Sequence, residues 1–217
     1  MAKGISLHVG LNRVDLGHYA GWSGELNACE ADAASIEEIA RNRGFLTGML
    51  LNEAATRDAV RAAIRAAASG LAGGDIFLVS YAGHGGQVPD VNGDEPDAAD
   101  ETWCLYDGQL IDDELQDLWS GFAPGVRVLV ISDSCHSGTV TRAGRGQLDL
   151  DAAANELRAF GITRPIYRYM PPDTALRTYR EHKPFYDGLG RALPATPQPT
   201  RATVRLLSGC RDDQTSA

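Results

Sequence analysis

A layered α/β fold, with a mostly parallel sheet flanked by helices, is predicted by three observations. Short apolar runs rich in β-branched residues recur at 5–10, 46–51, 75–80 and 126–132, and such runs read as buried strands. The stretches between them carry apolar residues at helical spacing, and strands alternating with helices build a parallel sheet. Two of the runs end in motifs rich in reactive side chains: Tyr81-Ala82-Gly83-His84-Gly85-Gly86 and Asp133-Ser134-Cys135-His136-Ser137-Gly138. In open parallel sheets the reactive crevice lies beyond the carboxyl ends of the strands, where these motifs sit.

The elements follow in order. After the strand at 5–10, a Gly-rich loop from Gly10 to Gly24 carries Trp22. Ala33, Ile36 and Ala40 mark the first helix, which ends near Gly44. The strand at 46–51 leads to Thr56, which is suited to cap a second helix with a Val60, Ile64, Ala67 stripe; Gly70 and Gly73-Gly74 end it. The strand at 75–80 is followed by an acidic loop over 90–101, a short strand at 102–105 and a helix over about 112–119. The strand at 126–132 carries the second motif. Beyond Gly138 the pattern loosens into an Arg- and Pro-rich segment, with helices predicted over 151–160 and near 173–182, and a last strand at 202–207.

Composition narrows the function. The 217 residues, 43% apolar, can bury one domain-sized core. The N-terminus has no signal-peptide pattern, and no stretch reaches the length of a membrane span. Cysteines at 29, 104, 135 and 210 form neither a CxxC pair nor a dense disulfide framework, so a reduced, cytoplasmic setting is expected. Net charge is −9, and it is unevenly spread: residues 1–141 hold 8 Lys/Arg against 21 Asp/Glu. An acidic body of this kind excludes nucleic acid as a partner and favours cationic ligands.

His84 and Cys135 lie 51 residues apart. A thiol is nucleophilic as thiolate, and a neighbouring imidazole can take its proton. Either residue alone would read as a buried cysteine or a loop histidine; together, after two core strands, they read as a catalytic dyad. His136 adjoins the nucleophile, but adjacent side chains in an extended turn diverge, so it reads as structural. Zinc held by His84, Cys135, His136 and Cys104 lacks ligand spacing. Asp90, Asn92, Asp94 and Glu101 have EF-hand spacing, but Glu95 stands where that loop needs Gly.

On these residues the chain resembles the caspase-like (clan CD) cysteine peptidases, and among them the metacaspases and prokaryotic orthocaspases. The matching segments are 26–33, 81–85, 100–107, 111–114, 133–138 and 207–216, with 139–200 outside the resemblance. The resemblance implies a caspase-like three-layer sandwich, one domain over 1–217. It comprises a p20-like core at 1–138, an insertion at 139–200 and an incomplete p10-like region at 201–217, because relatives continue with a further helix and strand. It implies endopeptidase activity after Arg or Lys, with Cys135 attacking, His84 as base and the Gly85 N–H, with that of Cys135, as oxyanion hole. It implies that Asp32 and Asp133 bind a basic P1 side chain, with Cys29 and Ala82 lining the pocket. Ala82 departs from the Ser often found there. No cofactor enters the chemistry; calcium is implied as an activator held by Asp100, Asp112 and Asp113, although Arg142 replaces the usual fourth aspartate.

Expected partners are peptides with basic P1 residues and the remaining p10-like segment, with no membrane or nucleic acid. Arginines and a lysine within 139–200 match the implied specificity and make self-cleavage an expectation. A non-catalytic adaptor of the same fold is the alternative reading, and the retained Cys and His speak against it. A nucleotide-binding domain lacks its glycine fingerprint.

Overall fold

The computed structural model describes residues 2–91, 99–134, 168–193 and 199–208. Cys135, His136, Arg142, Asn92, Asp94, Glu95, the helix expected over 151–160 and the motif residues 209–216 lie outside the described residues. In chain order the elements are β1 (Gly4–Gly10), α1 (Cys29–Asn42), β2 (Leu46–Leu51), α2 (Arg57–Gly70), β3 (Ile76–Ala82), β4 (Gly85–Pro89), β5 (Ala99–Leu105) and β6 (Gly108–Ile111). There follow α3 (Asp112–Ser120), β7 (Arg127–Asp133), α4 (Pro172–Glu181), α5 (Lys183–Ala192) and β8 (Thr203–Ser208). Five strands form an all-parallel sheet in the order β2-β1-β3-β7-β8, and β4-β5-β6 form a separate antiparallel ribbon.

Strand alternation separates the two faces of the large sheet. Leu7 and Val9 of β1, with Phe77, Val79 and Tyr81 of β3, join Val60, Ile64 and Ala67 of α2 in the main core. Burying a side chain such as Val60 or Ile64 is worth about 1.5–3 kcal/mol, so this stripe anchors α2. The opposite face meets α1. There Gly10 leaves no space for a side chain, since a Cβ would lie 2.4 Å from the Cys29 carbonyl oxygen. On that face His8 is buried between the Ser80 hydroxyl (2.8 Å) and the Ser6 hydroxyl (2.9 Å), and burial lowers its pKa to about 4. Thr56 caps α2 as its sequence position predicts, its side chain accepting from the Ala59 N–H.

The structure corrects the sequence reading in three places. Residues 85–89 are strand β4, and β5 begins at Ala99, inside the stretch expected to be an acidic loop. A two-residue hairpin then returns the chain as β6, with Leu105 paired to Gly108. Residues 172–192, placed in a loosely patterned segment, form α4 as expected plus an additional helix, α5. Tyr186 of α5 is buried against Val88 and Ile111, and its hydroxyl lies 2.7 Å from His18 Nε2. His18 stacks on His182 at 4.1 Å.

Candidate active site

Parallel register brings three strand ends abreast. Gly10 pairs with Ala82, and Ala82 with Asp133, so the first motif, the second motif and the loop into α1 open from one edge. The start of α1 is held by Asn12. Its Oδ1 accepts from the Cys29 N–H (2.9 Å) and its Nδ2 donates to Glu30 (3.0 Å), while Asn52 donates to the same Glu30 oxygen (2.7 Å). These bonds replace the side-chain cap that Ala28 cannot supply. They fix the first turn of α1, and with it Asp32.

His84 sits in the sharp turn between β3 and β4. The Tyr81 hydroxyl donates to the His84 carbonyl (2.7 Å), and the Cys104 N–H donates to the same oxygen (2.9 Å). The ring lies 4.6 Å from Trp22, and Nε2 is 3.1 Å from the Gly24 carbonyl. A carbonyl only accepts, so Nε2 carries the hydrogen and Nδ1 is left as the basic nitrogen. Nδ1 has no hydrogen-bond partner among the described residues. Burial, assisted by the nearby Arg168 cation, lowers the His84 pKa to about 4, against the opposing pull of the Gly24 carbonyl and the Tyr169 backbone. The imidazole is therefore neutral at pH 7, as a proton acceptor must be.

Asp32 and Asp133 do come together, and an arginine stands between them. Arg168 donates from Nη2 to Asp32 Oδ2 (2.7 Å) and from Nη1 to Asp133 Oδ2 (2.5 Å). Only 8% of Arg168 is exposed. Cys29 and Ala82, with Leu26, form the small apolar cluster at the same strand ends. Burial raises the Cys29 thiol to about 11, so it stays protonated and inert at neutral pH. The Gly85 N–H, expected as an oxyanion donor, donates to the Arg168 carbonyl at 3.0 Å.

On the β7 side, Trp103 Nε1 donates to the Ser132 hydroxyl (3.1 Å), which lies 3.0 Å from the Ser134 hydroxyl. Trp103 stacks on Tyr81 at 4.6 Å, so one aromatic pair ties the His84 turn to the chain entering the Cys135 motif. Asp100, Asp112 and Asp113 lie apart from this pocket, on β5 and at the start of α3. Burial, with Asp100, Asp113 and Glu101 nearby, raises the Asp112 pKa to about 8. Carboxylates are the right donors for calcium, but no three acidic, thiol or imidazole groups among the described residues converge on one ion position.

Three contributors escape a sequence reading: Gly24, Trp22 and Arg168. Gly24 has φ +57 and packs against His84, a conformation that Gly favours, and Trp22 was visible only as an aromatic in a loop. Arg168 is 136 residues from Asp32, and no local pattern links them.

Residues 7–143 match the family described as metacaspase, peptidase C14 domain. The chain belongs to this family of cysteine peptidases. It is 30% identical to Metacaspase-1 of Mycosarcoma maydis, over 99% of this chain and 58% of that protein, and 31% identical to Metacaspase-1 of Pyricularia oryzae, over 99% and 59%. The chain spans a little over half the length of these relatives. A crystal structure of a protein from Geobacter sulfurreducens superposes with a TM-score of 0.83 at 51% identity, covering 98% of this chain and 75% of that one. These alignments run through 139–200, which the motif resemblance had left outside.

Proposed function

We propose that this chain is a cysteine endopeptidase that cleaves after Arg or Lys, using His84 and Cys135. The observation that carries this reading is the pair Asp32 and Asp133 gripping a guanidinium beside a histidine whose Nδ1 is kept basic and unpartnered. Two carboxylates bind a guanidinium through charge-assisted hydrogen bonds and repel an acidic side chain. Cys135 follows directly after Ser134, whose approach is braced by Ser132 and Trp103. His84 Nδ1 takes the thiol proton, and the thiolate attacks the carbonyl carbon of the residue in the pocket. The Gly85 N–H stabilises the developing oxyanion, a contribution of about 3–4 kcal/mol for a well-placed donor. The imidazolium then protonates the leaving amine, and water hydrolyses the thioester.

Calcium enters only as an activator. Crowded carboxylates around Asp112 would be relieved by a divalent cation, and binding would require them to close on it. No catalytic step depends on it.

A panel of peptides with Arg, Lys or Asp at P1, assayed with calcium and with chelator, tests the reading. Arg and Lys peptides are cut and Asp peptides are not. Cys135→Ala and His84→Ala each lower turnover about 10³-fold or more with the fold retained, whereas His136→Ala keeps measurable turnover. Efficient cleavage after Asp would overturn the specificity. Full activity in chelator would remove calcium from the scheme.

A further inference from the structure

A base that takes a proton becomes a cation, and a cation out of water needs negative potential around it. We propose that Trp22 is a positioning residue for His84, its indole face stabilising the imidazolium through a cation–π contact where a carboxylate partner would otherwise stand. The proposal rests on the reading of His84 as the base.

Three observations carry it. First, the Trp22 and His84 ring centroids are 4.6 Å apart, with their planes at 57°. That is inside the roughly 6 Å over which the negative face of an aromatic ring attracts a cation, and Trp is the strongest such partner. Second, no carboxylate pairs with His84 among the described residues. Nε2 meets the Gly24 carbonyl at 3.1 Å, and the charged group that acts on the ring is Arg168, a cation, which disfavours the imidazolium. Asp32 and Asp133 are themselves paired with Arg168. Tyr81 and Cys104, packed against the turn, are held neutral by burial. A carbonyl supplies a dipole and no counter-charge, so the indole adds the negative potential that the ring otherwise lacks. Third, the fold holds Trp22 in place independently of His84. Fully buried Tyr19 meets the indole in a T-shaped contact at 6.0 Å, and its hydroxyl donates to the Leu105 carbonyl (2.6 Å). The Trp22 N–H donates to the Tyr19 carbonyl (3.0 Å), and the Val14 N–H donates to the Ser23 carbonyl (2.9 Å), closing the loop on both sides of the indole.

An indole that merely covered the imidazole would act with the opposite sign. Apolar cover withholds water from the cation and lowers the pKa, whereas a π face raises it. Acting together, the two give a ring sheltered from water that still holds a proton at Nδ1 between taking it and passing it on.

Site-specific replacement of Trp22 by mono-, di- and trifluorotryptophan tests this, because fluorine drains the π face while the ring keeps its shape. The full chain carrying Cys135→Ala and labelled histidine is titrated by NMR, with the His84 signal assigned through His84→Gln. The His84 pKa should fall stepwise with each fluorine, by about 0.5–1 unit at trifluorotryptophan. In the active chain, kcat for an Arg-P1 amide should fall in the same order, about threefold to tenfold overall, with KM unchanged. Equal His84 pKa values across the series, or a ring that stays neutral in every member down to acid unfolding, overturns the proposal and leaves the protease reading standing. A wild-type chain that turns over no Arg-P1 peptide sinks the protease reading instead, and the NMR series, which needs no turnover, still decides whether Trp22 stabilises the His84 cation.

Discussion

At the scale of single residues, the site depends on groups that do no chemistry. Gly24 accepts from His84 Nε2 through its carbonyl, and its φ of +57 is one that L side chains adopt at a cost of about 1–2 kcal/mol. A Cβ there would also lie 3.1 Å from Val14 Cγ2 and 3.2 Å from His84 Cδ2. Gly24→Ala should therefore turn or displace the imidazole. We expect kcat to fall about tenfold with KM nearly unchanged, because the Asp32–Asp133 pocket is untouched. Steady-state kinetics on an Arg-P1 peptide checks this, and a rise in KM alone would show that Gly24 does not position the base. Of the candidate site, His84, Gly85 and Asp133 stand out in contiguous motifs at strand ends, and Asp32, in the first turn of α1, is singled out by the family resemblance. Gly24 and Arg168 do not stand out, because a backbone carbonyl and a long-range ion pair leave no periodic or local trace.

At the scale of elements, the long parallel strands and four of the helices declared themselves through hydrophobic period, and α1, α2, α3 and α4 lie where the pattern puts them. The ribbon did not. β4 reads Gly-Gly-Gln-Val-Pro, with little to mark a strand, and β6 has only four residues. The signal available was Asp107-Gly108, one residue past the Tyr106-Asp107 loop of the hairpin, with Gly108 at φ +153. α5 was obscured by Gly188 and Gly190, poor helix formers, and is held instead by a tertiary contact, Arg57 lying over Phe185 at 5.1 Å, and by the i,i+4 pair of Lys183 with Asp187 at 2.7 Å within the helix. The start of α1 illustrates how an element places a candidate pocket residue. With Ala28 unable to cap, Asn12 binds the Cys29 N–H, and Asp32 projects from the turn so fixed. Asn12→Ala should cost about 0.5–2 kcal/mol of stability, the range for a lost cap. It should also raise KM for Arg-P1 peptides more than it lowers kcat. Thermal melts and peptide kinetics together check it; a lower melting temperature with unaltered KM would mean that Asp32 is held by the rest of the helix.

At the scale of the whole molecule, charge and titration act together. The first 141 residues carry a net negative charge, a field that attracts cations. Three buried histidines govern how the fold responds to acid. His8 is held near pKa 4 by burial, against the pull of Glu37. Burial and the neighbouring His182 bring His18 to the same value, against Asp107 and Asp15 and with a small contribution from Arg57. His84 also lies at about 4, with burial as the leading cause. All three fall below the ordinary value of 6.5, so between pH 6.5 and 4 the unfolded chain binds protons that the folded chain refuses. Stability from these groups is complete above pH 6.5 and is lost as pH falls toward 4. Asp112 opposes them: its pKa of about 8 means that the folded chain holds a proton there which the unfolded chain releases above 3.8. Three groups against one leave a net gain of stability with rising pH across the window. The melting temperature should accordingly climb between pH 4.5 and 6.5. It should climb less steeply in His8→Asn, which removes one of the three titrations while keeping a polar group between Ser6 and Ser80. A flat profile in the parent chain would mean that these imidazoles reach water in the folded state, and an unchanged slope in the variant would place the acid sensitivity outside His8, at groups such as His18, His84 and the carboxylates that the fold holds below their usual range.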